Sequence, residues 1–79
     1  MNERRATARQ RVFKAATIEF ENKAVDCLVR NVSAAGAGLQ VSSPFRIPHE
    51  ITLNIPTRNE RQHCYIVWRN ETRIGVVFS

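Results

Sequence analysis

The sequence has no long hydrophobic run, and this absence limits where the protein can reside. No stretch approaches the roughly 18 consecutive apolar residues that a membrane-spanning helix requires. The first residues, Met-Asn-Glu-Arg-Arg, are not followed by an apolar segment, so we expect no signal peptide. These two absences predict a cytoplasmic protein without a membrane span.

Residues arranged for metal binding or catalysis are also lacking. Cys27 and Cys64 have no C-x-x-C partner, so we expect both to be reduced thiols packed as small apolar side chains. His63 and Cys64 are adjacent on a predicted strand and therefore point to opposite faces, and His49 has no partner at ligand spacing. Acidic residues are scattered singly, and no Ser/His/Asp set is suggested. We therefore predict that the protein has no metal site and no cofactor, and that it is not an enzyme.

No segment has a helical pattern of convincing length, whereas strand patterns recur along the chain. Alternation of apolar and polar residues predicts strands over residues 12–20, 24–32, 39–41, 51–55, 61–69 and 72–78. Short strands at this spacing, separated by turn signals, favour a small six-stranded antiparallel β-barrel. The 79 residues form a single all-β domain, with 1–11 as an exposed, flexible, Arg-rich arm and 12–79 as the barrel.

The last hairpin contains an apolar run, Tyr65-Ile66-Val67-Trp68, which is typical of a strand in the middle of a closed sheet. We predict that Trp68, Tyr65 and Phe78 pack in the barrel and do not form a stacking platform.

Positive charge is concentrated at the N-terminus. The net charge is +5, and residues 1–14 carry five basic side chains against one acidic one. Arginine outnumbers lysine ten to two, and its planar guanidinium can bind a phosphate or a guanine edge through two hydrogen bonds. A basic terminus can simply keep a small protein soluble, but it also suits an anionic ligand.

The segment from Ser33 to Gly38, which follows Asn31 and Val32, interrupts the strand pattern with small residues. Asn31 and Ser33 can bond to neighbouring backbone, and Gly36 and Gly38 are predicted to permit positive φ. Backbone that side chains leave uncovered is useful where a flat ligand must come close. A merely tight turn is the alternative explanation.

These two segments together resemble the two-part signature of PilZ domains. Arg5-x-x-x-Arg9, preceded by Arg4, is followed about twenty residues later by Asn31-x-Ser33-x-x-Gly36. The resemblance continues through Ala37-x-Leu39, Ile66-Val67-Trp68-Arg69 and Ile74-Gly75-Val76-x-Phe78, so it covers essentially the whole chain.

The resemblance implies a six-stranded barrel that binds the bacterial second messenger cyclic di-GMP. Arg5 and Arg9 would contact its phosphates and guanines, Asn31 and Ser33 would bond the other side, and Gly36 would keep the turn open. Arg4 resembles the arginine of members that hold two stacked ligand molecules, which suggests a ligand-linked homodimer. The receptor would change conformation and signal to an unknown protein partner, in motility, exopolysaccharide or biofilm control.

Two alternatives remain. A small basic barrel could bind single-stranded nucleic acid, with the arm following the phosphates. A degenerate barrel could be kept only for protein contacts, but both halves of the signature are intact.

Overall fold

The computed structural model describes residues 10–79, which form a closed antiparallel β-barrel. Its six strands, β1 to β6, are Gln10–Phe20, Lys23–Val32, Gly36–Gln40, Glu50–Ile55, Glu60–Arg69 and Arg73–Phe78. Two short 3-10 helices lie at Pro44–Arg46 and Pro56–Arg58. Neighbouring strands follow the order β1-β2-β3-β6-β5-β4, and β1 pairs with β4 to close the barrel. The predicted all-β six-stranded barrel is confirmed, while the arm residues Arg4, Arg5 and Arg9 lie outside the described part of the chain.

Two predicted strand boundaries differ from the structure by more than one residue. The first strand begins at Gln10 and not at Val12, because Gln10 and Arg11 pair with Val32 and Asn31. The interruption predicted over residues 33–38 covers only 33–35, since β3 already begins at Gly36. The small side chains of residues 36–38 favour a loop in the sequence, yet these residues pair with β6 as an ordinary strand.

The turns have clear chemical causes. Glu21 and Asn22 connect β1 to β2 with φ values of 48° and 63°, the left-handed backbone of a tight hairpin turn. Pro56 ends β4, as predicted, because proline cannot donate the next ladder hydrogen bond. In the turn after β5, the side-chain oxygen of Asn70 accepts hydrogen bonds from the backbone N–H groups of Thr72 and Arg73.

The core fills the barrel with alternate side chains from every strand. The largest fully buried side chains are Ile18, Val29, Leu39, Leu53, Cys64 and Ile74. The chain between β3 and β4 adds Val41, Pro44 and Ile47, all buried. Burial of aliphatic side chains contributes roughly 1.5–3 kcal/mol each, which is the main favourable term for so small a domain.

The two ends of the barrel differ. At one end lie the start of β1, the 33–35 turn and the 3-10 helix Pro56–Arg58; we call this the arm end. At the opposite end the β3–β4 connection is tied down by Arg69, which donates hydrogen bonds to the carbonyl oxygens of Pro44 at 2.7 Å and Ile47 at 2.5 Å.

Candidate ligand-binding site

The turn at the arm end is held closed by its own residues. The Ser33 backbone N–H donates to the Gly36 carbonyl oxygen at 2.8 Å, and the Ala35 N–H donates to Ser33 Oγ at 3.2 Å. The Phe78 N–H donates to the Ala35 carbonyl oxygen at 2.8 Å, which ties the turn to the end of β6. The Ser33 hydroxyl has two lone pairs, so one lone pair remains to accept a further hydrogen bond.

Gly36 is required for space and not for a special backbone angle. Within residues 10–79 no glycine has a positive φ, so the backbone freedom that Gly36 and Gly38 permit is not used. A Cβ at position 36 would overlap the Val76 carbonyl oxygen on the adjacent strand. Gly36 therefore lets the start of β3 approach β6 closely, and the turn stays flat.

A row of directly paired residues crosses the outer face of the barrel beside this turn. Asn31 on β2 pairs with Gly38 on β3, Gly38 pairs with Gly75 on β6, and Gly75 pairs with Trp68 on β5. We call these four residues the glycine row. Its two central positions have no side chain, so the side chains at the ends can lean over them.

The side chains of Asn31 and Trp68 both lie over the neighbouring glycine on the outer face of the barrel. The Asn31 side-chain nitrogen lies 2.8 Å from where a Gly38 Cβ would be, and the Trp68 indole lies where a Gly75 Cβ would be. The indole is nevertheless 48% exposed. The barrel thus presents an amide and a flat aromatic ring, which cover the two buried glycines between them.

The turn and the indole share one surface concavity. A depression of about 130 Å³ is lined by residues that include Ser33, Gly36, Trp68 and Val77. A larger cavity of about 410 Å³ opens at the arm end and is lined by residues that include Ser33, Ile55, Arg58 and Phe78. Ser33 therefore borders both hollows.

The structure brings three of the predicted site residues together. Asn31, Ser33 and Gly36 all lie at the arm end, on or beside the same turn. Gln10 follows Arg9 in sequence and pairs with Val32, the residue before Ser33. The first half of the signature is therefore joined to the barrel directly beside the second half.

Sequence reasoning missed Trp68. The prediction that it packs inside the barrel is wrong, because the pairing of β5 with β6 shifts between Ile66 and Trp68. Ile66 is buried, while Val67 and Trp68 are both exposed. Alternation alone places Ile66 and Trp68 on the same face of the strand, so the sequence pattern held no signal for the exposed indole.

The histidine and cysteine side chains have other roles. His63 Nε2 lies 2.5 Å from a Glu50 carboxylate oxygen, and His63 Nδ1 lies 2.6 Å from Ser79 Oγ, so both ring nitrogens are engaged. Cys64 is fully buried on the opposite face of β5 from His63. In the part of the chain that the structure describes, no group of three His, Cys, Asp or Glu residues could hold a metal ion.

Comparison with known protein families gives a match over nearly the whole chain. A family model described as PilZ domain matches residues 3–79. Among curated proteins, no relative matches the sequence. Between residues 10 and 79, no helix is both long and apolar enough to cross a membrane.

Proposed function

Since the chain belongs to the PilZ domain family, whose members generally bind cyclic di-GMP without catalysing a reaction, we propose that it is a receptor for this dinucleotide. The observation that carries the proposal is the concavity in which Ser33 and Gly36 lie beside the exposed Trp68 indole. A polar turn of small residues and a flat aromatic ring in one hollow suit a planar base better than a peptide side chain.

Each part of the site matches one part of the ligand. A base stacked on an aromatic side chain contributes roughly 1–3 kcal/mol, which makes Trp68 the candidate surface for a guanine. Asn31 and Ser33 offer amide and hydroxyl groups to base edges or phosphate oxygens. Arg5 and Arg9 provide charge-assisted hydrogen bonds to the phosphates, each contributing roughly 1.5–3 kcal/mol.

Binding then changes the surface that a partner protein meets. The segment that carries Arg5 and Arg9 enters the barrel at Gln10, beside the turn, so a ligand held by both halves fixes this segment against the barrel. A partner that binds only this arrangement would be recruited by the second messenger. We place this signalling in the bacterial cytoplasm, in control of motility or biofilm formation.

Arg4 extends the proposal to stoichiometry. Three guanidinium groups within six residues can neutralise more phosphate than one cyclic dinucleotide carries. We infer that two stacked ligand molecules bind per chain and that this pairing supports a ligand-linked homodimer.

The test is a calorimetric titration of the protein with cyclic di-GMP and, separately, with GTP. We expect saturable binding of cyclic di-GMP alone, with two molecules per chain. The double variant Arg5→Ala/Arg9→Ala should bind roughly a hundredfold more weakly or not at all, because two charge-assisted contacts are lost.

The matched control is Arg46→Ala/Lys23→Ala, which removes the same charge from sites away from the arm end. It should bind like the unmodified protein. Absence of any heat with cyclic di-GMP would overturn the receptor proposal, and saturation at one ligand per chain would overturn the role of Arg4.

A further inference from the structure

Arg30 lies at a β-bulge on β2, where the pairing of β2 with both of its neighbours, β1 and β3, is irregular. The pairing of β1 with β2 shifts between Arg11–Asn31 and Lys14–Val29, so two residues of β1 lie opposite Arg30 alone. The pairing of β2 with β3 shifts at the same place, between Val29–Leu39 and Asn31–Gly38. Bulges redirect side chains, and they occur frequently beside functional sites.

The redirected side chain is held in a defined position. The Arg30 guanidinium carbon lies 4.7 Å above the centre of the Phe13 ring, and Arg30 Nη1 donates to the Gln40 side-chain oxygen at 2.5 Å. Gln40 follows Gly38 by two residues on β3, so both lie on the same face of the strand. The guanidinium therefore borders the glycine row, next to Asn31.

Both contacts of Arg30 are with uncharged groups. Between residues 10 and 79 the ion pairs join Arg58 to Glu60, Arg61 to Glu19 and His63 to Glu50. The positive charge of Arg30 is thus not offset by a carboxylate of the barrel. Phe13, which supports it, is 69% exposed and adds little to the core.

We propose that Arg30 is a further ligand-binding residue, which contacts a phosphate of the cyclic dinucleotide from the barrel side of the site. This inference rests on the proposed receptor function. Phe13 and Gln40 position the guanidinium before the ligand arrives, so little side-chain freedom is lost on binding. Arg30 therefore acts as a fixed anion-binding group, in addition to the arginines of residues 1–9.

The experiment measures cyclic di-GMP affinity at low and at moderate salt for the full chain and for Arg30→Ala, Arg30→Lys and Phe13→Leu. We expect Arg30→Ala to bind about ten- to a hundredfold more weakly and to lose part of the salt dependence, because one ionic contact disappears. Arg30→Lys should keep the salt dependence but bind several-fold more weakly, since lysine lacks the planar group that stacks on Phe13. Phe13→Leu should also bind several-fold more weakly, with its salt dependence retained.

Arg46→Ala is the matched control, since it removes one exposed arginine from the opposite end of the barrel. Its affinity should stay within about twofold of the unmodified chain.

If the unmodified chain binds and Arg30→Ala binds equally well with the same salt dependence, the role of Arg30 is overturned while the receptor function stands. If the unmodified chain does not bind cyclic di-GMP, both are overturned. Far-ultraviolet circular dichroism and thermal melting of every variant separate loss of binding from loss of folding.

Discussion

At the scale of single residues, the two cysteines show how completely the barrel excludes water. Cys64 is fully buried and Cys27 is 9% exposed. Burial raises the pKa of the Cys27 thiol to about 12, with a further contribution from the negative charge of Asp26. Burial also raises the pKa of Cys64 to about 11, although a backbone hydrogen bond involving Leu53 works in the opposite direction. Both side chains therefore behave as apolar core residues.

This burial predicts protected thiols and stability that decreases in alkali. In the unfolded chain a thiol ionises near pH 8.5, whereas in the barrel it stays protonated up to the raised pKa. The contribution of each thiol is therefore fully present below about pH 8.5 and is lost as the pH rises through the folded-state pKa. We expect a thiol reagent at about pH 8 to modify both cysteines only in denaturant.

The pH dependence is measured by denaturant unfolding of the unmodified chain and of Cys27→Ala/Cys64→Ala. The double variant should lose less stability between neutral and alkaline pH, because the other ionisable groups are unchanged. Rapid modification of both thiols in the folded protein would contradict the prediction.

The same scale shows what sequence could and could not predict about the site. Asn31, Ser33 and Gly36 could be proposed from the sequence because their spacing resembles the PilZ signature, and the structure places them on or beside one turn. Trp68 could not be proposed from the sequence. The face of the sheet on which its indole lies depends on a register shift between β5 and β6, and this shift follows from how the two strands fit around the barrel. The structural reason for Gly36 was not predictable from the sequence, since close packing against Val76 and not a positive φ requires a glycine there.

At the scale of elements, alternation of apolar residues was enough to predict six strands and most of their bounds. Strand bulges were not predictable, since an extra residue in a ladder leaves the alternation intact on either side. The bulges at Arg30 and at Trp68 are the places where the outer face gains its distinctive side chains. Regular pairing builds the scaffold, and its irregularities shape the proposed site.

The β3–β4 connection gives a prediction at this scale, because Arg69 alone ties two of its carbonyl groups to β5. Arg69→Met keeps the aliphatic stem but removes both charge-assisted hydrogen bonds, each of which contributes roughly 1.5–3 kcal/mol. We expect a loss of about 3 kcal/mol in the free energy of unfolding, the lower end of the sum of the two bonds, because Arg69 is only partly buried. For a domain of this size, that lowers the melting temperature by roughly 10–20 °C.

Arg46→Met is the control for the lost charge, since Arg46 is an exposed residue of the same connection. Its melting temperature should be close to that of the unmodified chain. Equal melting temperatures for the two variants would show that the Arg69 hydrogen bonds do not stabilise the connection.

At the scale of the whole molecule, charge and aromatic surface are arranged differently from those of a nucleic-acid groove. The exposed rings of Phe13 and Trp68 lie on β1 and β5, with β2, β3 and β6 between them. Adjacent strands are about 4.8 Å apart, so the path from one ring to the other across β2, β3 and β6 is roughly 19 Å long. In the other direction around the closed barrel β4 alone lies between the two strands, but β4 pairs with Thr17–Glu19 of β1 and with Glu60–Tyr65 of β5, and these segments contain neither ring. Successive bases of a single strand cannot stack on both rings without a gap of several nucleotides.

This separation distinguishes the dinucleotide receptor from the alternative, a barrel that binds single-stranded nucleic acid. Trp68 is the single tryptophan of the chain, so its fluorescence reports directly on the proposed site. We expect cyclic di-GMP to change this fluorescence saturably at physiological salt. An oligothymidylate should bind measurably only at low salt, through the basic N-terminal segment, because its affinity depends on the release of counterions. It should not displace bound cyclic di-GMP at physiological salt.

If the oligothymidylate binds at physiological salt as tightly as the dinucleotide and competes with it, the barrel is a single-strand binder, and a polynucleotide backbone lies along the glycine row.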